Sequence, residues 1–284
     1  MTKAKPSTMF LALRPKQWTK NLLIFAAPIA AREFTENFSL LILAFICFIS
    51  SSSFGYLIND WMDKDKDAKH PDKKLRPFAS GKLSRKHLSV LLLICLFGIA
   101  VPCLFLGSKF TIVSLSYVFV TFLYSIRIKS IPVIEMFWLS TGFLIRGVAG
   151  SVVISNNPTS WFLITIFFGA LFLVSTKRLS EIVNVEPSAY RTVVNYYTKE
   201  YLSLVTAIAA TTTIVTYAIW AIQEHPGSSI VLLSLFSFSA FIFSYLLKSK
   251  ERLAQEPETL LFSDLPILLS FVTTIILLCL VFYS

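Results

Sequence analysis

The sequence predicts an all-α, polytopic membrane protein of nine transmembrane helices, and three observations carry that expectation. The 284-residue chain is 55% hydrophobic and only 15% charged, whereas soluble domains run at about 45–50% and about 25%. The apolar excess is gathered into runs approaching the roughly 20 residues a helix needs to cross a bilayer core. The basic residues fall in every second loop between those runs, and so on one side, as cytoplasmic loops require.

In chain order, residues 8–19 read as an amphipathic lead-in on the membrane surface, with Lys3, Lys5, Arg14, Lys16 and Lys20 near headgroups. Span one is Asn21–Arg32, interrupted by Pro28. Span two is Leu40–Ile58, three Leu88–Leu106, four Phe110–Ile126 and five Ile131–Ile154. Span six is Thr159–Thr176, seven Tyr201–Ile222, eight Ile230–Leu247 and nine Pro266–Phe282. With nine alternating spans, 23 of the 26 Lys and Arg residues share a side with the amino terminus. The opposite side has only Arg32 and Lys109, and Arg146 lies within span five. The bias puts the loaded loops in the cytoplasm.

The net charge of +10 is therefore a topology signal and not a nucleic-acid footprint. Cys47, Cys95, Cys103 and Cys279 lie inside apolar runs without metal-ligand spacing, and read as small buried hydrophobes. No internal repeat relates the two halves, which counts against a transporter built from symmetric repeats.

The chemistry concentrates in Asn59–Gly81, NDWMDKDKDAKHPDKKLRPFASG. Asn59, Asp63 and Asp67 are four apart, so a continuous helix would set them on one stripe with Asp60 beside it. Carboxylates plus an amide oxygen are hard ligands suited to Mg²⁺, which completes its shell with water and substrate phosphate. Lys73 and Arg76 follow within reach of the same phosphate, and such cations clamp phosphate oxygens. A metal cluster beside a cationic cluster suits a diphosphate substrate. The plainer reading is a solvated, charge-balanced loop.

The pattern N-D-x-x-D-x-x-x-D at Asn59, Asp60, Asp63 and Asp67, followed by His70-Pro71 and by RPFASG at 76–81, resembles the UbiA-type intramembrane prenyltransferase superfamily. The resemblance implies nine helices around a central cavity with a cytoplasmic Asp-rich cap, one domain over residues 1–284, and Mg²⁺ as cofactor. Most of that superfamily has a second Asp-rich motif after span six. Here the matching stretch, LVSTKRLSEIVN, offers Lys177, Arg178 and Glu181 and no aspartate.

That departure, with LRPKQWTKN (13–21), LYSIRIK (123–129), FLIRGVAG (143–150) and STKRLSE (175–181), resembles the decaprenyl-phosphate phosphoribosyltransferase branch. The branch implies phosphoribosyl pyrophosphate (PRPP) as donor, a membrane polyprenyl phosphate as acceptor and a bacterial plasma membrane with a cytoplasmic active site. It further implies a homo-oligomer, a trimer. Asn59, Asp60, Asp63 and Asp67 would be catalytic, with Asn59, Asp63 and Asp67 holding the metal. Lys73, Arg76, Lys177 and Arg178, beside Glu181, would meet phosphate, followed by Lys20, Lys129 and Arg191. Glu135 stands where the family usually has an aspartate, and Leu265 where arginine follows the aspartate that is Asp264 here. Arg146 and Glu135 project to one face of span five. They read either as a cavity-lining polar stripe or as an arginine tied to neighbouring carbonyls. Two other functions stay open: a prenyltransferase acting on an aromatic acceptor, and a non-catalytic lipid-phosphate binder or transporter.

Overall fold

The computed structural model describes residues 6–69, 73–184 and 192–283. It is a bundle of long helices: α3 (Phe38–Met62), α5 (Arg85–Ile126), α6 (Ile134–Val153), α7 (Ser160–Asn184), α8 (Lys199–Glu224), α9 (Ser229–Leu247) and α11 (Leu265–Tyr283). Shorter helices are α1 (Pro6–Ala12), α2 (Ala26–Ala30), α4 (Lys64–Asp67) and α10 (Pro257–Ser263). Among the described residues, the seven long helices are long and apolar enough to cross a membrane, and the chain is an integral membrane protein. Leu104, Leu247, Phe236 and Phe105 stand out from the bundle at 70–82% exposure, as lipid-facing side chains do.

Spans three and four form one element. A straight helix of 42 residues would reach about 60 Å, twice a bilayer core. Gly107 breaks it with φ 82° and ψ 176°, a conformation open to glycine. Cys47 on α3 touches the Ile99 carbonyl of one limb and the Ser114 hydroxyl of the other. The two limbs are therefore a hairpin folded at Gly107, both packed on α3. Spans two, five, seven, eight and nine fall within a few residues of their helices. Span six differs, since α7 continues to Asn184 and carries Lys177, Arg178 and Glu181 as helix.

The amino-terminal region departs most from expectation. Only Pro6–Ala12 is an α-helix, and its end packs Ala12 among Leu57, Phe78, Leu83 and Leu88. Residues 15–19, expected on the surface, instead begin a 3₁₀ helix (Pro15–Phe25) running into α2. Span one is thus not one long helix. Eleven residues of 3₁₀ and five of α-helix rise about 30 Å together, close to a bilayer core. Arg14 meets Asp60 just before this stretch. Ala27, Ala30 and Ala31 line a cavity of about 120 Å³ with Asn156, Asn157 and Glu224 at the far end.

Pro15 and Pro28 lack the N–H that a continuous α-helix would use. Irregular backbone at membrane depth needs protein around it, and Asn21, Ile24, Ala27 and Pro28 are buried. The segment lies against α3 and α6, while α2 also touches α11. At Gly150 the approach is close enough that an added Cβ would lie 1.8 Å from the Ile24 carbonyl oxygen.

Gly150→Ala should therefore destabilise the protein by about 1–3 kcal/mol or more, lowering its melting temperature in detergent. Gly169→Ala, whose Cβ would meet only Thr213 Cγ2 at 3.5 Å, should leave that temperature nearly unchanged.

Candidate active site

The carboxylates at the end of α3 are arranged by a break in the helix. α3 ends at Met62, and Asp63 takes φ −93° and ψ 3° before α4 resumes at Lys64. Backbone bonds still run from Asp63 to Asn59 and from Asp67 to Asp63, but the expected single stripe is interrupted. Asp60 and Asp67 come to share one cation. Arg76 Nη1 donates to Asp60 Oδ1 at 3.1 Å and to Asp67 Oδ2 at 2.6 Å. Arg14 closes the other side of Asp60 through Nε at 3.1 Å and Nη2 at 2.5 Å, its guanidinium 4.9 Å from the Tyr56 ring centre. Asp63 turns away to Lys129 Nζ, 2.8 and 2.9 Å from its two oxygens. Asn59 is half-buried.

Exposure of only 3% for Asp60 and 6% for Asp67 makes this pairing necessary, because an uncompensated buried charge costs several kcal/mol. Among the described residues, no three His, Cys, Asp or Glu side chains converge as a metal-ligating group. Asp60, Asp63 and Asp67 are each paired with a side-chain cation. Burial and the neighbouring Arg14 lower the pKa of Arg76 below its ordinary value, while Asp60 and Asp67 hold it up.

The RPFASG segment explains how Arg76 reaches that position. Phe78 is buried and meets Trp61 edge-on at 5.8 Å, packing with Leu57, Leu83 and Leu88. Gly81, at φ 72°, turns the chain, and Leu83 N–H donates back to the Pro77 carbonyl. The anchored turn holds Arg76 under the end of α3. Lys73 is half-buried at the start of the same segment. His70, Pro71, Asp72 and Arg191 lie outside the described residues.

A second cluster joins α6 to α7. Val133 adopts φ 65° and ψ −54°, and Ile134 N–H donates to the Pro132 carbonyl at 2.7 Å. This is a strained γ-turn, rare for a β-branched residue. The Tyr197 hydroxyl accepts the Val133 N–H at 2.8 Å. The turn delivers Glu135 into the first turn of α6, fully buried. Arg178 meets it fork to fork, Nε to Oε1 at 2.6 Å and Nη2 to Oε2 at 2.8 Å. Arg178 Nη1 also donates to Glu181 at 2.8 Å. At 1% exposure, Arg178 is a clamp between helices and not a cation presented to solvent. Lys177, one residue earlier, is half-buried.

A third polar line runs into the bundle. Arg146 donates to Asn21 Oδ1, to the Gly142 carbonyl and to the Tyr117 hydroxyl at 2.8, 2.8 and 2.6 Å. The carbonyl belongs to Arg146's own helix and not to a neighbour's, and its other two partners are side chains from other elements. Asn21 in turn donates to Ser52. Nearer the charged end, Lys20 bonds Gln17, and Gln17 bonds Glu258 of α10.

Sequence reasoning did not single out Gln17, Asn21, Tyr56, Tyr117 and Glu258 as site residues. Each is a single polar residue on an otherwise apolar or irregular stretch. Arg14 and Glu258 carried only the weak signal of a charge at a span end.

An all-helical membrane bundle with aspartates and counter-cations gathered at one end defines the class of intramembrane protein. The UbiA prenyltransferase family model matches residues 22–265, and the chain belongs to that family, a family of transferases. A decaprenyl-phosphate phosphoribosyltransferase of Mycobacterium tuberculosis (strain CDC 1551 / Oshkosh) is 31% identical over 262 residues, covering 89% of this chain and 87% of its own. The protein of that name in Corynebacterium glutamicum is 35% identical over 228 residues, 76% of this chain and 68% of its own. A UbiA homologue from Archaeoglobus fulgidus, solved bound to GPP and Mg²⁺, has the same fold. Its TM-score is 0.73 over 95% of this chain and 99% of that one, at 15% identity.

Removing one partner of the buried pair should be costly. Arg178→Met is expected to lower stability by about 3–5 kcal/mol, read as a drop in melting temperature, and Arg178→Met with Glu135→Met should recover much of it. Equal losses in the single and double variants would contradict the pairing.

Proposed function

We propose that the chain transfers 5-phosphoribose from PRPP to a membrane polyprenyl phosphate, releasing pyrophosphate. The observation that carries this reading is the 31% identity, across 89% of the chain, to a decaprenyl-phosphate phosphoribosyltransferase. The charge pattern supports it. A donor with a diphosphate and a 5-phosphate, and an acceptor with another phosphate, need more cations than a prenyl diphosphate does.

Asn59, Asp60, Asp63 and Asp67 offer only hard oxygen donors, the set Mg²⁺ takes. Arg76 already holds two of these carboxylates together through its positive charge. Asn59, Asp63 and Asp67 would hold the ion, which when bound supplies charge neutralisation to the departing pyrophosphate.

The chain's own cations do the rest. Lys73, Arg76, Lys129 and Lys177, followed by Lys20 and Arg191, bind phosphate oxygens by charge-assisted hydrogen bonds. Arg178 and Glu181 set the end of α7 that carries Lys177. An acceptor phosphate oxygen attacks ribose C1. The new C1–O bond forms as the bond to pyrophosphate breaks, with oxocarbenium character at C1 and inversion there. The acceptor is already an anion, so no general base is needed. Catalysis is then positioning and electrostatic stabilisation. The charged end of the bundle faces the cytoplasm of a bacterial plasma membrane, where a water-soluble donor arrives. The acceptor's isoprenoid tail stays in the apolar layer.

The test is transfer of label from radiolabelled PRPP to a short polyprenyl phosphate, with Mg²⁺, in detergent or nanodiscs. A lipid-extractable ribose phosphate is expected, abolished by EDTA and reduced at least about 100-fold in Asp63→Ala. Label that stays aqueous with every lipid length, while a prenyl diphosphate alkylates an acceptor, would overturn the assignment.

A further inference from the structure

The segment 257–266 is left without a role by the aspartate cluster and the cations, yet it places a carboxylate inside the bundle. Glu258 is only 9% exposed. Its Oε1 accepts from Gln17 Nε2. Its Oε2 is buried and makes no hydrogen bond, and the nearest ammonium, Lys20 Nζ, stands off at 3.8 Å. A buried carboxylate oxygen without a donor is costly. Oε2 is thus ion-paired with Lys20 yet has no hydrogen bond, which leaves room on it for a donor O–H or N–H.

The surroundings say which sort. Gln17, which bonds Glu258, also donates its backbone N–H to the carbonyl of Arg14, the partner of Asp60, so the site adjoins the aspartate cluster where the proposed donor's diphosphate would bind. A buried carboxylate oxygen without a hydrogen bond suits a ligand that gives one. A prenyl chain cannot, and a ribose ring does so through its vicinal hydroxyls.

Resting on the proposed phosphoribosyl transfer, we infer that Glu258, oriented by Gln17, accepts hydrogen bonds from the ribose hydroxyls of the donor and makes the site select a phosphosugar over an isoprenoid diphosphate. A site built to bond a hydroxyl rejects the analogue lacking it, because its own polar group is then left unpaired.

The experiment compares PRPP with its 2-deoxy and 3-deoxy analogues in the lipid-transfer assay, using wild type, Glu258→Gln and Gln17→Leu. Wild type should lose about 10- to 100-fold in kcat/KM on at least one analogue. In Glu258→Gln, PRPP turnover should fall by a similar factor and the deoxy penalty should shrink to less than about threefold, the pattern of two groups that interact. Gln17→Leu keeps the carboxylate but frees it to move. It should raise KM for PRPP with a smaller change in kcat and a reduced deoxy penalty, and it tests the inference even where Glu258→Gln does not fold. Deoxy penalties in the variants equal to those in wild type, or absent in wild type, would overturn the role of Glu258 while leaving the reaction standing. Wild type that moves no phosphoribose at all would overturn the reaction and this inference with it.

Discussion

Buried carboxylates in an apolar bundle must find cations, and in this protein the search ties distant parts of the chain together. Asp60 draws in Arg14 from the amino terminus and Arg76 from the loop after α4. Asp67 shares Arg76, and Asp63 takes Lys129 from the α5–α6 connection. Three segments are thereby docked on the end of one helix. Glu135 and Arg178 repeat the arrangement between α6 and α7, with both partners essentially inaccessible. Such pairs are a weak source of net stability compared with apolar packing, but losing one partner is severe. Their value here is register. They gather cations at the ends of helices whose lateral contacts are mostly apolar.

Much of this architecture is legible in the sequence, because a bilayer demands long apolar runs and leaves little freedom in how they are read. Spans two, five, seven, eight and nine appear with small boundary errors. The misreadings have local causes. The stretch from residue 15 to 30 is buried by its neighbours, so it needs no α-helix of its own, and hydropathy alone cannot register a 3₁₀ path held against Gly150. The end of α7 is polar enough to look like a loop, yet Arg178 is satisfied from within the bundle and the helix runs on for two more turns. The stripe read at Asn59, Asp63 and Asp67 assumed one continuous helix, and a helical wheel cannot show that Asp63 ends it. That break turns Asp60 and Asp67 to a common guanidinium.

Single polar residues were the least legible of all. Asn21, Tyr117 and Arg146 form one hydrogen-bonded unit from three elements far apart in the chain. Nothing in any one segment announces the other two. Glu258 is similar, since its Oε2 is buried without a hydrogen bond, and a missing contact leaves no trace in a sequence.

The two acidic positions nearest the proposed donor site also differ in what they permit. Glu135 has both oxygens engaged by Arg178, so it has little capacity left for a ligand and its work is done within the fold. Glu258 has one oxygen hydrogen-bonded and the other only ion-paired with Lys20 at 3.8 Å. Evenly matched pairs lock helices together, whereas a buried group short of a hydrogen bond retains capacity for a ligand. By that criterion the aspartates occupy an intermediate place. Their partners are long, half-buried cations on connecting segments, which the proposed reaction would shift from carboxylate to phosphate. A neutralised cluster of that sort can rest without ligand and still present both signs of charge when one arrives, which a phosphate-rich donor and its counter-ion together require.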